Sequence, residues 1–412
     1  MGNNRKMKMR MREALREDLE KIFGKAWPAW LGGLLVGMFN VFEYIIKKPW
    51  GITSATSRWS GWILNSFGVD TPNWLYFQQM KTFQNIPFLY DGDAINVGVV
   101  LGAFIAASLS YEFAIRRARS NRVYMQAFAG GILMGYGARL CNGCNLGALI
   151  CSIPSLSLSG WIFWLGLALG AYIGIKFIVW QITRMTVSSR PMSTTEKRSG
   201  LNEQRQTIIG LTGILAAVAI TLFYSYFTKA EVVILFLIGL AFGVIVQRSR
   251  FCFVTSFKDV FISRDATIFK AIIIAMLVAT IGFSLIMYKL VPDPSIGELP
   301  AHAKINNIGS PFGIPHLVGG ILFGLGMTLA GGCASGTLYR MGEGYVSLWV
   351  AFLGTLVGYV FIAHNWQWLY PNLLEGTKVW LPRYLGWGGS VFLTLSALMG
   401  VYALITYWEA SG

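Results

Sequence analysis

Charge is what this 412-residue sequence has least of: 13% of its residues are Asp, Glu, Lys or Arg, about half the share of a typical soluble domain. With 54% hydrophobic residues and a mean hydropathy of +0.54, that scarcity excludes a water-soluble globule. It equally excludes a disordered chain, which is polar and highly charged. Histidine is rarer still, at three residues. His302, His316 and His364 stand far along the chain from the paired cysteines, so the four ligands of a structural zinc site are not at hand. Five cysteines, an odd number, do not make a disulfide framework. No Gly-Lys-Ser/Thr follows the Gly-rich stretch from Gly324 to Gly336, which excludes a phosphate-binding loop. No small-residue cleavage site follows the apolar run that starts near Trp27. Residues 1–26 therefore read as a cytoplasmic amphipathic segment leading into a retained span.

What is present is length of apolar run. Crossing about 30 Å of hydrocarbon takes around 20 residues, and ten segments qualify: 27–47, 92–115, 123–140, 160–183, 206–227, 231–247, 267–290, 314–330, 344–364 and 385–408. The net charge of +15 is explained by topology rather than by a nucleic-acid partner. With the N-terminus inside, the cytoplasmic segments carry 22 Lys and Arg against 9 on the other side, the bias of the positive-inside rule. The outer loop 48–91, rich in Trp and Phe, is expected to rest at the interface. Glu43 and Glu112, close to span ends, are expected to be solvated interface charges.

Comparing the sequence with itself exposes a repeat. Residues 137–149, from Gly137 to Leu149, align without a gap on 326–338, from Gly326 to Leu338. Gly, Leu, Gly, Cys, Gly and Leu coincide, and a Trp-bearing apolar helix (Trp161, Trp349) follows each copy. The two copies fall on opposite sides of the membrane, with the span 206–227 as the odd connecting helix. This predicts an all-α polytopic membrane protein of nine or ten transmembrane helices in two inverted repeats. The first repeat occupies 27–183, the connecting region 184–230 and the second repeat 231–364, with an outer loop and last helix at 365–412. Inverted repeats with Gly-interrupted hydrophobic segments mark transporters whose site lies near the midplane, although Gly-rich helices also arise from close packing alone.

The repeated segments are too short and too rich in glycine to span. Gly143, Gly147 and Pro154 interrupt 141–157, while Gly332, Gly336 and three further glycines interrupt 331–344. Irregular backbone is tolerated at membrane depth only when enclosed by protein or lining a wet cavity. Re-entrant half-helices are therefore expected there, with others at 250–263 (Cys252, Thr255) and near 50–62. Their N-termini would present free N–H groups and a positive dipole end to an anion.

Three readings of the cysteines stay open. Cys141 and Cys144 form a C-x-x-C pair that suits a thiol–disulfide oxidoreductase. Cys151 reads as a small buried hydrophobe. Cys144 and Cys333, equivalent in the repeat, and Cys252 offer a ladder of soft, weak donors for a soft solute. Conduction needs each contact to be weak enough for release. Asn145 adjoins the first cysteine, and Arg139 and Arg250 stand where they would draw an anion to the mouths.

At Gly143-Cys144-Asn145-Leu146-Gly147, at Gln247-Arg-Ser-Arg-Phe-Cys252-Phe, and at Ala330-Gly-Gly-Cys333-Ala-Ser-Gly336 the sequence resembles the YeeE/YedE sulfur-transport family. The likeness extends over most of 28–408. The resemblance implies an hourglass-like path in a bacterial inner membrane, no cofactor, no enzymatic activity and a small sulfur or selenium anion as solute. It implies that Cys144, Cys252 and Cys333 pass the solute along by transient S–H contacts, and that a cytoplasmic sulfur-carrier protein is a partner besides membrane lipid. The length of the 48–91 loop is similar to that of the selenium-associated branch. An inside-negative potential opposes a dianion by about 2.3 kcal/mol per charge per 100 mV.

Overall fold

The computed structural model describes residues 24–47, 49, 51–84, 86–118, 120–185, 203–295, 312–374 and 378–411. Most of the expected segment 1–26, most of the linker 184–205 and the region of His302 lie outside them. Ten long helices run antiparallel to their chain neighbours: α1 (Ala29–Ile46), α3 (Asp91–Leu109), α4 (Asn121–Leu140), α5 (Leu158–Met185), α6 (Glu203–Phe227), α7 (Ala230–Ser249), α9 (Thr267–Leu290), α10 (Ile314–Ala330), α12 (Val346–His364) and α13 (Pro382–Ala410). Four short pieces separate them in pairs: α2 (Ile52–Ser66), a π-helical segment (Asn145–Cys151), α8 (Phe253–Ile262) and α11 (Ala334–Gly342). These coincide with the four expected half-helices. No strand occurs among the described residues.

Among the described residues, nine helical stretches are long and apolar enough to cross a membrane. The remaining helix, α4, is less apolar because Arg122, Gln126 and Arg139 interrupt it, yet it is enclosed by α10 and α12. The expected span 92–115 ends at Leu109. Beyond it the chain turns through Tyr111, at φ 59°, and this turn brings Glu112 to α7.

Parallel pairs of helices are held by reciprocal glycines. A Cβ at Gly98 or Gly102 of α3 would meet the carbonyls of Phe236 and Leu240 in α7, and one at Gly239 or Gly243 of α7 would meet those of Ile95 and Val99. The same arrangement joins α4 to α12, through Gly131 and Gly135 against Ala351 and Thr355, and through Gly354 and Gly358 against Phe128 and Ile132. It joins α5 to α10 through Gly166, Gly170, Gly320 and Gly324, and α1 to α9 through Gly33 and Gly37. Each spacing is four residues, so the small positions stack on one helix face and let the backbones touch. Packing is thus the reason for most of the glycines in the long helices.

Ionic contacts mark two ends of the bundle. At one, Lys47 lies 2.6 Å from Asp91 and 3.7 Å from Glu231, where α3 and α7 begin. At the other, Glu112 meets Arg248 at 3.6 Å and Arg250 at 3.3 Å, where those helices have ended. The short pieces α2 and Asn145–Cys151 lie toward the first end, and α8 and α11 toward the second. Two expectations about polar residues are corrected. Glu43 is not a solvated interface charge, being 1% exposed and near enough to Cys151 to act on it electrostatically. The loop 48–91 does not simply rest at the interface. It folds inward, burying Tyr76 and Phe77 against Ile362 and Trp366, with Tyr76 edge-on to the rings of Phe77 and Trp366, a favourable aromatic geometry.

Overpacking a closed contact costs roughly 1–3 kcal/mol. Gly102→Leu is therefore expected to lower the thermal unfolding midpoint of the purified chain in detergent. Gly400→Leu, at a position with nothing within 4 Å, should leave it unchanged.

Candidate functional site: three cysteine-capped half-helices

Cys144, Cys252 and Cys333 occupy the same local position. Each is the residue immediately before a short helical piece and has extended backbone: Cys144 before Asn145–Cys151, Cys252 before α8 and Cys333 before α11. Gly51 fills that place before α2. Caps are ordinarily Ser, Thr, Asp or Asn, whose oxygens take the free amides of the first turn. At Cys333 a thiol does so. The Gly336 N–H donates to Cys333 Sγ at 3.3 Å, and the Ser335 hydroxyl lies 3.3 Å away on the same sulfur. The amides of Leu146 and Gly147 face Cys144. The amide and hydroxyl of Thr255 and the hydroxyl of Tyr339 face Cys252. The carbonyl of each capping cysteine starts the helical ladder, accepting from Ala148, Ser256 and Thr337 respectively.

The short pieces bring the sulfurs together. A methyl group at Gly336 would stand 3.3 Å from Cys333 Sγ and 4.0 Å from Cys252 Sγ, so this glycine keeps open the gap between two thiols. Cys144 approaches from the opposite end and still acts electrostatically on Cys333. All three are at most 1% exposed. The other candidate glycines differ in kind. A Cβ at Gly143 would strike the Ala148 amide at 2.7 Å, and one at Gly332 would reach Leu348 at 2.9 Å, so these two allow close packing. Asn145 donates to Met327 Sδ at 3.6 Å, and its buried Oδ1 has no partner.

The remaining two cysteines stand apart. Cys141 Sγ donates to backbone carbonyls of Gly137, at 3.0 Å, and Gly143, at 3.2 Å. Cys151 sits 3.6 Å from Asn40 Oδ1, in a cluster with Tyr44 and Phe283. The two candidate arginines also part company. Arg139 is 2% exposed, adjoins Cys144, and extends Nη1 to Ser54 Oγ and Nη2 to Asn142 Oδ1, both at 3.4 Å. Arg250 is solvent-exposed at the opposite end and paired with Glu112.

A family model described as sulphur transport matches residues 3–173 and 248–411. The chain belongs to the sulphur transport family. It is similar to the probable transporter YedE of Salmonella typhimurium, with 33% identity over 390 residues and 93% of each chain covered. The probable transporter YedE of Escherichia coli is 32% identical over 389 residues, with the same coverage. A shorter stretch of 117 residues is 38% identical to the thiosulfate transporter TsuA of Spirochaeta thermophila, covering 28% of this chain and 32% of that one. The molecule is accordingly a multi-span membrane protein of a bacterial transporter family, related to sulfur-anion transporters.

For a member of the sulphur transport family, several polar residues near the cysteines escaped sequence reasoning. Arg340 of α11 is close enough to Cys252 to act on it electrostatically, and its Nε donates to Tyr339 Oη at 3.1 Å. In the sequence it was one more positive charge on an inner loop. Tyr359 of α12 shares a hydrogen bond with Thr56 Oγ1 at 3.1 Å and faces Cys144 and Arg139. Its position in a long apolar run gave no signal. Arg58 and Asp93 form a buried pair at 3.9 Å, with Trp59 Nε1 donating to Asp93 Oδ1 at 2.9 Å and the guanidinium stacked 3.5 Å over Tyr90. This pair anchors α2, and hence Ser54, to α3.

Removing one partner of a buried ion pair costs about 3–5 kcal/mol, whereas removing both costs less. Asp93→Asn is expected to lower the stability of the detergent-purified chain by that order, and Arg58→Gln added to it to restore part of the loss, as read by thermal unfolding.

Proposed function

We propose that this protein carries a small thiosulfate-like sulfur or selenium anion inward across the bacterial inner membrane, with its N-terminus cytoplasmic. The two halves, each built of helix, short piece and helix twice over, act as inverted repeats around an hourglass-like path. In this reading α2 and the Asn145–Cys151 segment enter from outside, and α8 and α11 from inside. Cys144, Cys252 and Cys333 meet the solute in turn. A solute sulfur exchanges S–H contacts with each, and the contacts are individually weak enough for onward release. Gly336, Gly147, Thr255 and Asn145 shape the space and present donors beside the thiols, while Gly143 and Gly332 fix the short pieces against their neighbours. A cytoplasmic sulfur-carrier protein would take the solute at the inner end.

The observation that supports this reading is the repeated placement of a cysteine before a half-helix, three times out of four, with the Cys333 thiol accepting from the first-turn amide of Gly336. The similarity to the thiosulfate transporter TsuA supports the choice of a thiosulfate-like anion. The alternative, electron transfer by a Cys141–Cys144 dithiol, would use a thiol that the fold commits to backbone carbonyls.

The test is uptake of labelled thiosulfate by vesicles containing the full chain. Losing one hydrogen-bonded station removes about 1 kcal/mol, so Cys333→Ala and Cys252→Ala are each expected to slow uptake by roughly fivefold. Cys141→Ala should leave it within about twofold. Uptake that survives all three path substitutions, or that depends on Cys141 instead, overturns the proposal.

A further inference from the structure

Three arginines are buried among the described residues: Arg58, Arg139 and Arg248. Arg58 has Asp93, and Arg248 has Glu112 together with the Lys25 carbonyl. Arg139 has no carboxylate within 4 Å. Its neighbours are neutral: Ser54 Oγ and Asn142 Oδ1 at 3.4 Å, Met80 Sδ at 3.9 Å and the Tyr76 ring at 5.6 Å. Its buried Nε has no acceptor at all. A cation kept inside a membrane protein without a counter-ion is expensive, and such residues mark ion pathways. Arg139 stands beside Cys144, at the first turn of α2, where Ser54 adds a hydroxyl.

The opposite end has a counterpart. Arg340, half-buried, also lacks a carboxylate within 4 Å among the described residues, although Glu343 acts on it from farther away. It donates to Tyr339 Oη at 3.1 Å and to the Gly331 carbonyl at 3.2 Å, and lies 5.8 Å from the rings of Tyr339 and Tyr345. It acts electrostatically on Cys252, whose thiol meets the Tyr339 hydroxyl, as Arg139 acts on Cys144. Of the other cations there, Lys47 is neutralised by Asp91 and Arg250 by Glu112, while Arg116 is held by the backbone carbonyls of Glu112 and Glu343.

We propose that Arg139 and Arg340 are the two oxyanion stations of the path, each paired with a thiol, so that the protein selects an anion with a soft chalcogen at one end and a sulfonate-like oxygen head at the other. This inference rests on the transport reading and names the substrate class more narrowly. The guanidinium fork matches two oxygens of such a head, while the neighbouring thiol suits the sulfur. A solute with only oxygens, such as sulfate, uses the arginine and leaves the thiol unmatched. Sulfide does the reverse. Arg139 serves loading from outside and Arg340 release to, or loading from, the inside.

The experiment measures labelled thiosulfate transport as a function of concentration in right-side-out and in inverted membrane vesicles, with unlabelled sulfate and sulfide as competitors. Removing a charge-assisted contact should raise the half-saturating concentration roughly ten- to hundredfold. Arg139→Gln is expected to do so chiefly in right-side-out vesicles, and Arg340→Gln chiefly in inverted ones. Arg139→Lys, which keeps the buried charge but not the fork, should fall between and controls for a folding defect in the glutamine variant. Sulfate and sulfide should each compete poorly with thiosulfate in the unsubstituted protein. Absence of thiosulfate transport by that protein defeats the transport reading itself. Normal transport with half-saturation unmoved on both sides in the arginine variants, or strong competition by sulfate, overturns the arginine assignment alone.

Discussion

A backbone amide inside a bilayer must find an acceptor within the protein, because no water is there to supply one. Breaking four helices at membrane depth frees the first-turn amides of each, and the rest of the structure depends on how they are satisfied. An Asp cap would have satisfied them best and would have repelled an anion. A Ser or Thr cap would have held them firmly, leaving little to gain from a solute oxygen. Sulfur is a weak acceptor, so the amides behind Cys144, Cys252 and Cys333 are covered yet not fully used. The same thiols are donors of modest strength. On the proposed reading, a site with these properties takes a passing acceptor and lets it go.

Such pieces hold their positions only within a stiff frame. Reciprocal glycines bring backbone against backbone in four parallel helix pairs, at distances that leave no room for a methyl group. Helices so closely apposed resist sliding, since any shift drives a carbonyl into the neighbouring chain. The ionic contacts at each end, Lys47 with Asp91 and Glu231, and Glu112 with Arg248 and Arg250, tie the starts and finishes of α3 and α7. The glycines of the long helices and those of the short pieces therefore answer different demands. Gly102 or Gly354 permits contact between frame helices, while Gly336 keeps two sulfurs from being separated by a side chain.

Much of this was legible in the sequence because hydropathy and glycine interruption both act locally. The ten spans and four half-helices follow from run length, and the position of Cys144 and Cys333 follows from their gapless repeat. What escaped is set by contacts between distant segments. Glu43 looked like an interface charge from its place near a span end, yet the fold buries it within reach of Cys151. Arg250 and Arg340 were equivalent positive charges in the count of inner residues. Only the fold turns the first toward Glu112 and solvent, and the second toward Cys252. Tyr359 is one tyrosine in an apolar helix until Thr56 and Arg139 arrive beside it from elements some 300 and 220 residues away. The pairing of Arg58 with Asp93 is likewise invisible, since neither neighbourhood names the other.

The charge on the solute gives the arginines a further meaning. A membrane potential near 150 mV opposes inward movement of a dianion by roughly 7 kcal/mol, about five powers of ten in concentration ratio. Fixed cations within the protein do not change that difference between the two aqueous phases. They lower the barrier between them, and they do so only if no resident carboxylate has already neutralised them. Arg58, paired with Asp93, cannot help a dianion in this way, whereas Arg139 can. On the proposed reading the fold therefore supplies a passage and its counter-charges, and net accumulation depends on what consumes the solute at the inner end. A weak, reversible ladder of thiols is suited to that division, because a tight site would hold the anion at the midplane while the downstream step waited.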